Sequence, residues 1–336
     1  MCIRDRLNSL RPYKVGIVTS KEVETFCGEE FYSSLLRDGD KYFFYVEDGE
    51  KAKRLESVER LWRRLVEAAF TRRSLLIGFG GGSVCDVAGF VASTFNRGLP
   101  LLLVPTTLLA QVDAAIGGKN GIDFYGKNLI GTFYQPRLVI SDTRFLVRLS
   151  ERQMCNGIAE SVKIAVVSDR NLFQFIKSNS EKIIRRDSAT ITELVERSIR
   201  VKLRVVKQDE KEEHLRRILN FGHTFGHAYE SLSGYSLSHG EAVSAGMLVA
   251  SKIAEKVLGF EESSDVVSVL KALKLPTKVP SFKSERVLKE VRKDKKFWFG
   301  NPSLVLPDRI GRAKVVEFTL KELSELYEEV RNEKEI

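Results

Sequence analysis

The sequence predicts an α/β protein in two parts: a parallel-sheet half over residues 1–149 and a mainly α-helical half over residues 150–336. Three observations predict it. Short, wholly apolar segments alternate with amphipathic ones up to about residue 149. One of those apolar segments ends in three consecutive glycines, Gly80-Gly81-Gly82. Beyond Leu149 the strand signals nearly vanish, and apolar residues recur every three or four positions.

In order, Lys14–Thr19 and Tyr42–Glu47 read as short strands. Ala52–Phe70 carries Leu55, Val58, Leu61, Leu65 and Ala68 at helical spacing. Ser74–Phe79, Leu101–Val104 and Leu138–Ile140 complete the strand set. Fully apolar strands separated by helices imply a parallel sheet covered on both faces. Segments 150–180, 187–212, 217–233, 239–258 and 264–273 read as helices, and Leu320–Glu333 as a charged amphipathic helix with a solvated face.

Composition excludes several classes. Lys and Arg number 54 against 45 Asp and Glu, a net charge of +9. The basic residues are interleaved with acidic ones, with no aromatic-rich basic cluster and no helix-turn-helix or zinc-finger spacing, so nucleic acid is not an expected partner. A small anionic substrate explains part of the excess. No apolar run reaches the roughly 18 residues of a membrane span. Met1 to Arg11 is polar and basic, unlike a signal peptide, so a cytoplasmic protein is expected. The four cysteines are scattered, which suits reduced thiols better than a disulfide framework or a zinc knuckle.

Four features carry chemistry. Gly78 to Asp86 follows a strand and opens a helix, where backbone N–H groups and the helix terminus can meet a phosphate; a ligand-free tight turn is the competing explanation. Thr106 and Thr107 stand at a strand's carboxyl end, where open α/β sheets bind ligands, although capping of the next helix would use the same hydroxyls. Three of the four histidines, His223, His227 and His239, fall in one short window. Together with Glu160, an acidic residue in an apolar helical stretch, they suggest a catalytic divalent-metal site; a satisfied core cluster is the alternative. Finally, Arg97, Asp113, Lys119, Lys127, Lys202, Arg216 and Asn220 supply polar and cationic groups suited to an anionic substrate if they converge.

Read together, the segments resemble the dehydroquinate synthase family within the sugar-phosphate cyclase group. The strings are GGGSVCDVAGFVAST (80–94), RGLPLLLVPTTLLAQVDAAIGGKNGID (97–123), GKNLIGTFYQPRLV (126–139), GIAESVK (157–163), LNFGHTFGHAYE (219–230) and LSHGEAVSAGM (237–247). They cover most of residues 74–250 in order.

The resemblance implies a Rossmann-like NAD-binding domain, then a metal- and substrate-binding helical domain. Asp48, Glu50 and Lys53 would contact the adenosine part of NAD. Gly81, Gly82, Ser83, Val84, Cys85 and Asp86 would hold its pyrophosphate, and Thr106 and Thr107 its central portion. Lys119 and Lys127 would lie at the cofactor–substrate junction, and the backbone of Phe145, Leu146, Val147 and Arg148 would close over the nicotinamide side. Glu160, His223 and His239 would bind zinc or cobalt. Arg97, Asp113, Lys119, Lys163, Lys202, Arg216, Asn220 and His227 would serve the substrate, a small sugar-acid phosphate, with Lys296 as a late phosphate contact. A homodimer is expected.

The implied reaction is transient oxidation by NAD, phosphate elimination, re-reduction, ring opening and intramolecular aldol closure. Departures from the family pattern stand at Ser20, where an aspartate is usual, at His214, where a glycine is usual, and at Ile164-Ala165, where Tyr-Gly is usual. The family's opening strand pair is not evident before Val15 and Met1–Arg6 matches nothing, so a truncated amino end is expected. Alternatives are a sister sugar-phosphate cyclase, a metal-dependent polyol dehydrogenase, whose first ligand is typically aspartate rather than glutamate, or an inactive paralogue.

Overall fold

Both faces of a parallel strand need cover, and the first part of the chain supplies it by alternation. The structure is a computed structural model that describes residues 12–34, 41–293 and 301–333. It divides into two units, Met1–Ser150 and Glu151–Ile336.

In the first unit, strands β1 (Val15–Ser20), β2 (Lys41–Val46), β3 (Leu75–Gly80) and β4 (Leu101–Pro105) alternate with helices α1 (Lys21–Ser34), α2 (Leu55–Glu67) and α3 (Gly82–Thr94). After β4 come β5 (Lys119–Ile122), β6 (Ile130–Phe133) and β7 (Leu138–Val139). The main sheet has the order β2-β1-β3-β4-β7, every pair parallel. Neighbouring residues point to opposite faces. Val18, Phe44, Leu76 and Leu103 therefore pack with Val58, Leu61 and Leu65 of α2 and Val87 and Val91 of α3. Ile17, Ile77, Leu102 and Val104 pack with Phe31 of α1 and with Phe145. The two apolar clusters explain why the strands read as continuous apolar runs.

The antiparallel pair β5–β6 was not expected from sequence. Lys119-Asn120-Gly121 and the exposed face of β6 lack the apolar alternation that marks a strand.

The second unit contains α4 (Glu151–Ser168), α5 (Arg170–Ser178), α6 (Ser180–Ile184), α7 (Ser188–Gln208), α8 (His223–Leu232), α9 (His239–Leu258), α10 (Ser263–Ala272), α11 (Ser284–Arg292), the antiparallel hairpin β8 (Ser303–Arg309) and β9 (Arg312–Glu317), and α12 (Leu320–Arg331). Three expected helices differ. The 150–180 segment breaks at Asp169, whose side chain accepts the Leu172 N–H and caps α5. The 187–212 segment stops at Gln208, because Asp209 takes the N–H groups of Glu213, His214 and Arg216. The 217–233 segment is α-helical only from His223; its start belongs to a 3₁₀ turn, Leu215–Asn220, and Gly222 at φ 76° separates the two. The hairpin β8–β9 was also missed; Pro307 and a charged outer face disguise it.

α8 and α9 lie backbone to backbone. A Cβ on Gly246 would come within 1.9 Å of the Gly222 carbonyl oxygen. Among the described residues no helix is long and apolar enough to cross a membrane. Replacing Gly246 with alanine is expected to push the helices apart and lower stability by ~1–3 kcal/mol, read as a lower denaturant midpoint at unchanged slope.

Candidate functional site

A carboxylate deep inside a helix sets the site. Glu160 lies midway along α4, only 2% exposed. His239 is the first residue of α9, whose start is fixed by a capping box between Ser238 and Glu241. Gly240 lets this first turn rest on α4: a Cβ there would sit 2.6 Å from the Asn156 Cα. The Gly240 N–H donates to Asn156 Oδ1 at 2.8 Å. The result places His239 Nε2 3.0 Å from Glu160 Oε1. His223, the first residue of α8, brings its own Nε2 to 3.6 Å from the same oxygen.

Ligand atoms of Glu160, His223 and His239 all lie within 4.8 Å of one another. Two imidazoles and a carboxylate are the donor set of a catalytic divalent-metal centre that keeps a position open. The outer nitrogens fit that use. His223 Nδ1 meets the Phe221 carbonyl at 3.2 Å, and His239 Nδ1 meets Glu230 Oε1 at 3.0 Å. Both partners only accept, so the Nδ1 atoms can carry the protons and leave the Nε2 lone pairs for a cation.

Burial disfavours a charged His239, but its bonds to Glu160 and Glu230 outweigh that and push its pKa up to about 10. Coordination requires the neutral ring, so metal uptake should expel a proton at neutral pH. Apparent zinc affinity is therefore expected to fall as pH falls below that raised value. Calorimetry in buffers of different ionisation enthalpy would read the released proton.

Cationic groups crowd the same unit. Lys163, one turn along α4, forms an ion pair with Glu160, both side chains buried. Lys202 on α7 and Arg216 in the 3₁₀ turn are buried as well, and α4, α7 and that turn pack together. Arg216 Nη1 donates to the Glu210 carbonyl at 2.5 Å. Burial would raise the Asp209 pKa, yet the three backbone N–H bonds hold it below the usual carboxylate range. Asn220 Nδ2 donates to Glu212 Oε1 at 3.0 Å, and the His227 ring stands perpendicular to His223 with centroids 5.2 Å apart. His214 has a φ of −134°, and the positive φ in this loop falls on Glu212 instead.

In the other unit, Gly81 caps α3, and the Thr106 N–H donates to the Gly80 carbonyl at 2.9 Å. Thr107 Oγ1 accepts the Ala110 N–H at 3.2 Å, as a capping hydroxyl would. Cys85 is a buried free thiol behind this turn, with Val84 buried beside it. Ser83 Oγ donates to Glu50 Oε2 at 3.1 Å. Lys53, expected at the adenosine, is turned inward to Asp86 Oδ2 at 2.7 Å and to Asn128 Oδ1, while Asp48 and Glu50 are exposed. Burial pushes the Asp86 carboxyl up to about 6, with Lys53 opposing it. Ser20 Oγ accepts the Val23 N–H, acting as a cap for α1.

The fold does not gather every expected residue. Arg97 lies before β4, at the sheet's amino edge, beside Tyr13, Arg72 and Arg73 around a hollow of about 840 Å³. Gly81 and Thr106 stand at the opposite, carboxyl edge. Lys119 opens β5, whereas Lys127 lies in the turn at the other end of that hairpin. Asp113 sits in a short π-helical turn, near enough to Asp86 to raise its pKa. Phe145 and Leu146 are buried, Val147 and Arg148 are exposed, and Arg148 Nη1 donates to the Phe26 carbonyl at 2.6 Å. Lys296 lies outside the described residues. Sequence reasoning missed Glu230, Glu212 and Asn128. Glu230 alone left a signal: it falls seven residues after His223, on the same helical face.

Residues 43–156 match the family described as 3-dehydroquinate synthase N-terminal, and residues 157–297 the one described as 3-dehydroquinate synthase C-terminal. A 3-dehydroquinate synthase of Pyrococcus furiosus is 46% identical over 98% of this chain and 96% of its own. Among solved structures, 2-epi-5-epi-valiolone synthase of Streptomyces hygroscopicus subsp. jinggangensis, with NAD+ and Zn2+ bound, aligns with TM-score 0.88. It is 27% identical, covering 98% of this chain and 93% of that one. A 2-deoxy-scyllo-inosose synthase complexed with carbaglucose-6-phosphate, NAD+ and Co2+ aligns with TM-score 0.84 at 25% identity, covering 95% and 91%. With both halves matched in order and near-complete coverage, the chain belongs to the 3-dehydroquinate synthase family.

Proposed function

We propose that the chain converts 3-deoxy-D-arabino-heptulosonate 7-phosphate to 3-dehydroquinate and phosphate, with NAD in the Met1–Ser150 unit and zinc or cobalt on Glu160, His223 and His239. The observation that carries this reading is the meeting of two imidazole Nε2 atoms on one buried carboxylate. Solved relatives that hold NAD+ with Zn2+ or Co2+ support the cofactor pair.

When bound, the ion would supply Lewis acidity to a substrate hydroxyl, and NAD a hydride acceptor that is regenerated within each turnover. The chain's own residues do the rest. Lys202 and Arg216 hold the phosphate and carboxylate, so that elimination and ring closure are effectively unimolecular. Lys163 balances Glu160. His227 stabilises the departing phosphate or relays its proton. The phosphate can itself take the proton in the elimination, so the mechanism needs no separate protein base.

Metal-replete protein with NAD is expected to release inorganic phosphate from this substrate without net NADH, and a chelator should stop it. Glu160→Ala is expected to lower kcat about 100-fold or more, the scale of losing a major charge-stabilising group. No phosphate from folded, metal-loaded protein would end the reading. A sister cyclase is the second reading, favoured by the likeness to two other sugar-phosphate cyclases, and turnover of a different sugar phosphate in a substrate panel would select it.

A further inference from the structure

We infer that Glu230 is a positioning residue for the metal centre, one that fixes the ring of His239 and makes it a stronger donor. The inference rests on the metal reading above.

Glu230 ends the polar face of α8 that carries His223 and His227, and its side chain is buried, 8% exposed. Its Oε1 lies 3.0 Å from His239 Nδ1, while the opposite nitrogen of that ring lies 3.0 Å from Glu160 Oε1. The imidazole is therefore held at both ends, between two buried carboxylates of different helices. A carboxylate accepts and cannot donate, so once Nε2 turns its lone pair to a cation, Nδ1 must carry the proton that Glu230 binds. Such an outer carboxylate locks the tautomer and ring angle and raises the basicity of the ligand nitrogen. The outer nitrogen of His223 instead meets a neutral group, the Phe221 carbonyl, at 3.2 Å. A glutamate buried for packing alone would have no need to face a ring nitrogen across from a second carboxylate.

The test uses the full chain prepared metal-free, as wild type, Glu230→Ala and Glu230→Gln, with Zn2+ or Co2+ alone as the probe. Chelator competition gives the affinity, the visible bands of bound Co2+ report ligand strength, and thermal melting of the metal-free proteins reports the fold. Glu230→Ala is expected to weaken zinc binding about 10- to 100-fold and to shift the cobalt bands. Glu230→Gln keeps an oxygen for the Nδ1 proton but loses the charge. It should fall between the two while melting like wild type. Wild-type affinity and bands in both variants would overturn the inference. So would a glutamine variant as weak as the alanine one, with its metal-free melting lowered to match, since that pattern marks a purely structural role. Wild-type protein that binds neither ion would instead sink the metal reading itself.

Discussion

The charge on Glu160 is the constraint around which the second unit is arranged. A carboxylate 2% exposed in an apolar helix is costly unless cations and donors surround it. The fold meets it with Lys163 from the same helix, His239 from the start of α9 and His223 from the start of α8. None of these partners could be moved by much. His239 and His223 sit where helices touch through glycines or a capping box, so the geometry of the site follows from how closely the backbones approach.

That dependence explains how much could be read beforehand. The sheet was legible because β1, β3 and β4 are covered on both faces, which writes unbroken apolar runs into the sequence. The clustering of Glu160, His223 and His239 was legible because few histidines exist and an acidic residue stands out among apolar neighbours. Glu230 was hidden because a glutamate in a helix usually faces water, and only the packing of α8 on α9 turns this one inward. Gly222 likewise looked like any glycine in a helical stretch, yet its left-handed backbone breaks the segment and makes His223 a helix start. Short strands such as β5 and β6, rich in glycine and polar residues, left no periodic trace.

In the first unit the same economy applies to Lys53. A buried ammonium needs a carboxylate, and Asp86 from the first turns of α3 provides it, with Asn128 alongside. The pairing ties the segment after β2 to the glycine-rich turn, so the expected cofactor residues hold one another in place. Lys53 thus braces the glycine-rich turn through Asp86.

Glu160, His223 and His239, the described residues that could share an ion, all belong to Glu151–Ile336. Affinity for an ion held there would then be a property of one unit. Any dependence of that affinity on a dinucleotide held by the other would be a coupling free energy, and by thermodynamic reciprocity the ion would tighten or loosen the dinucleotide by the same factor.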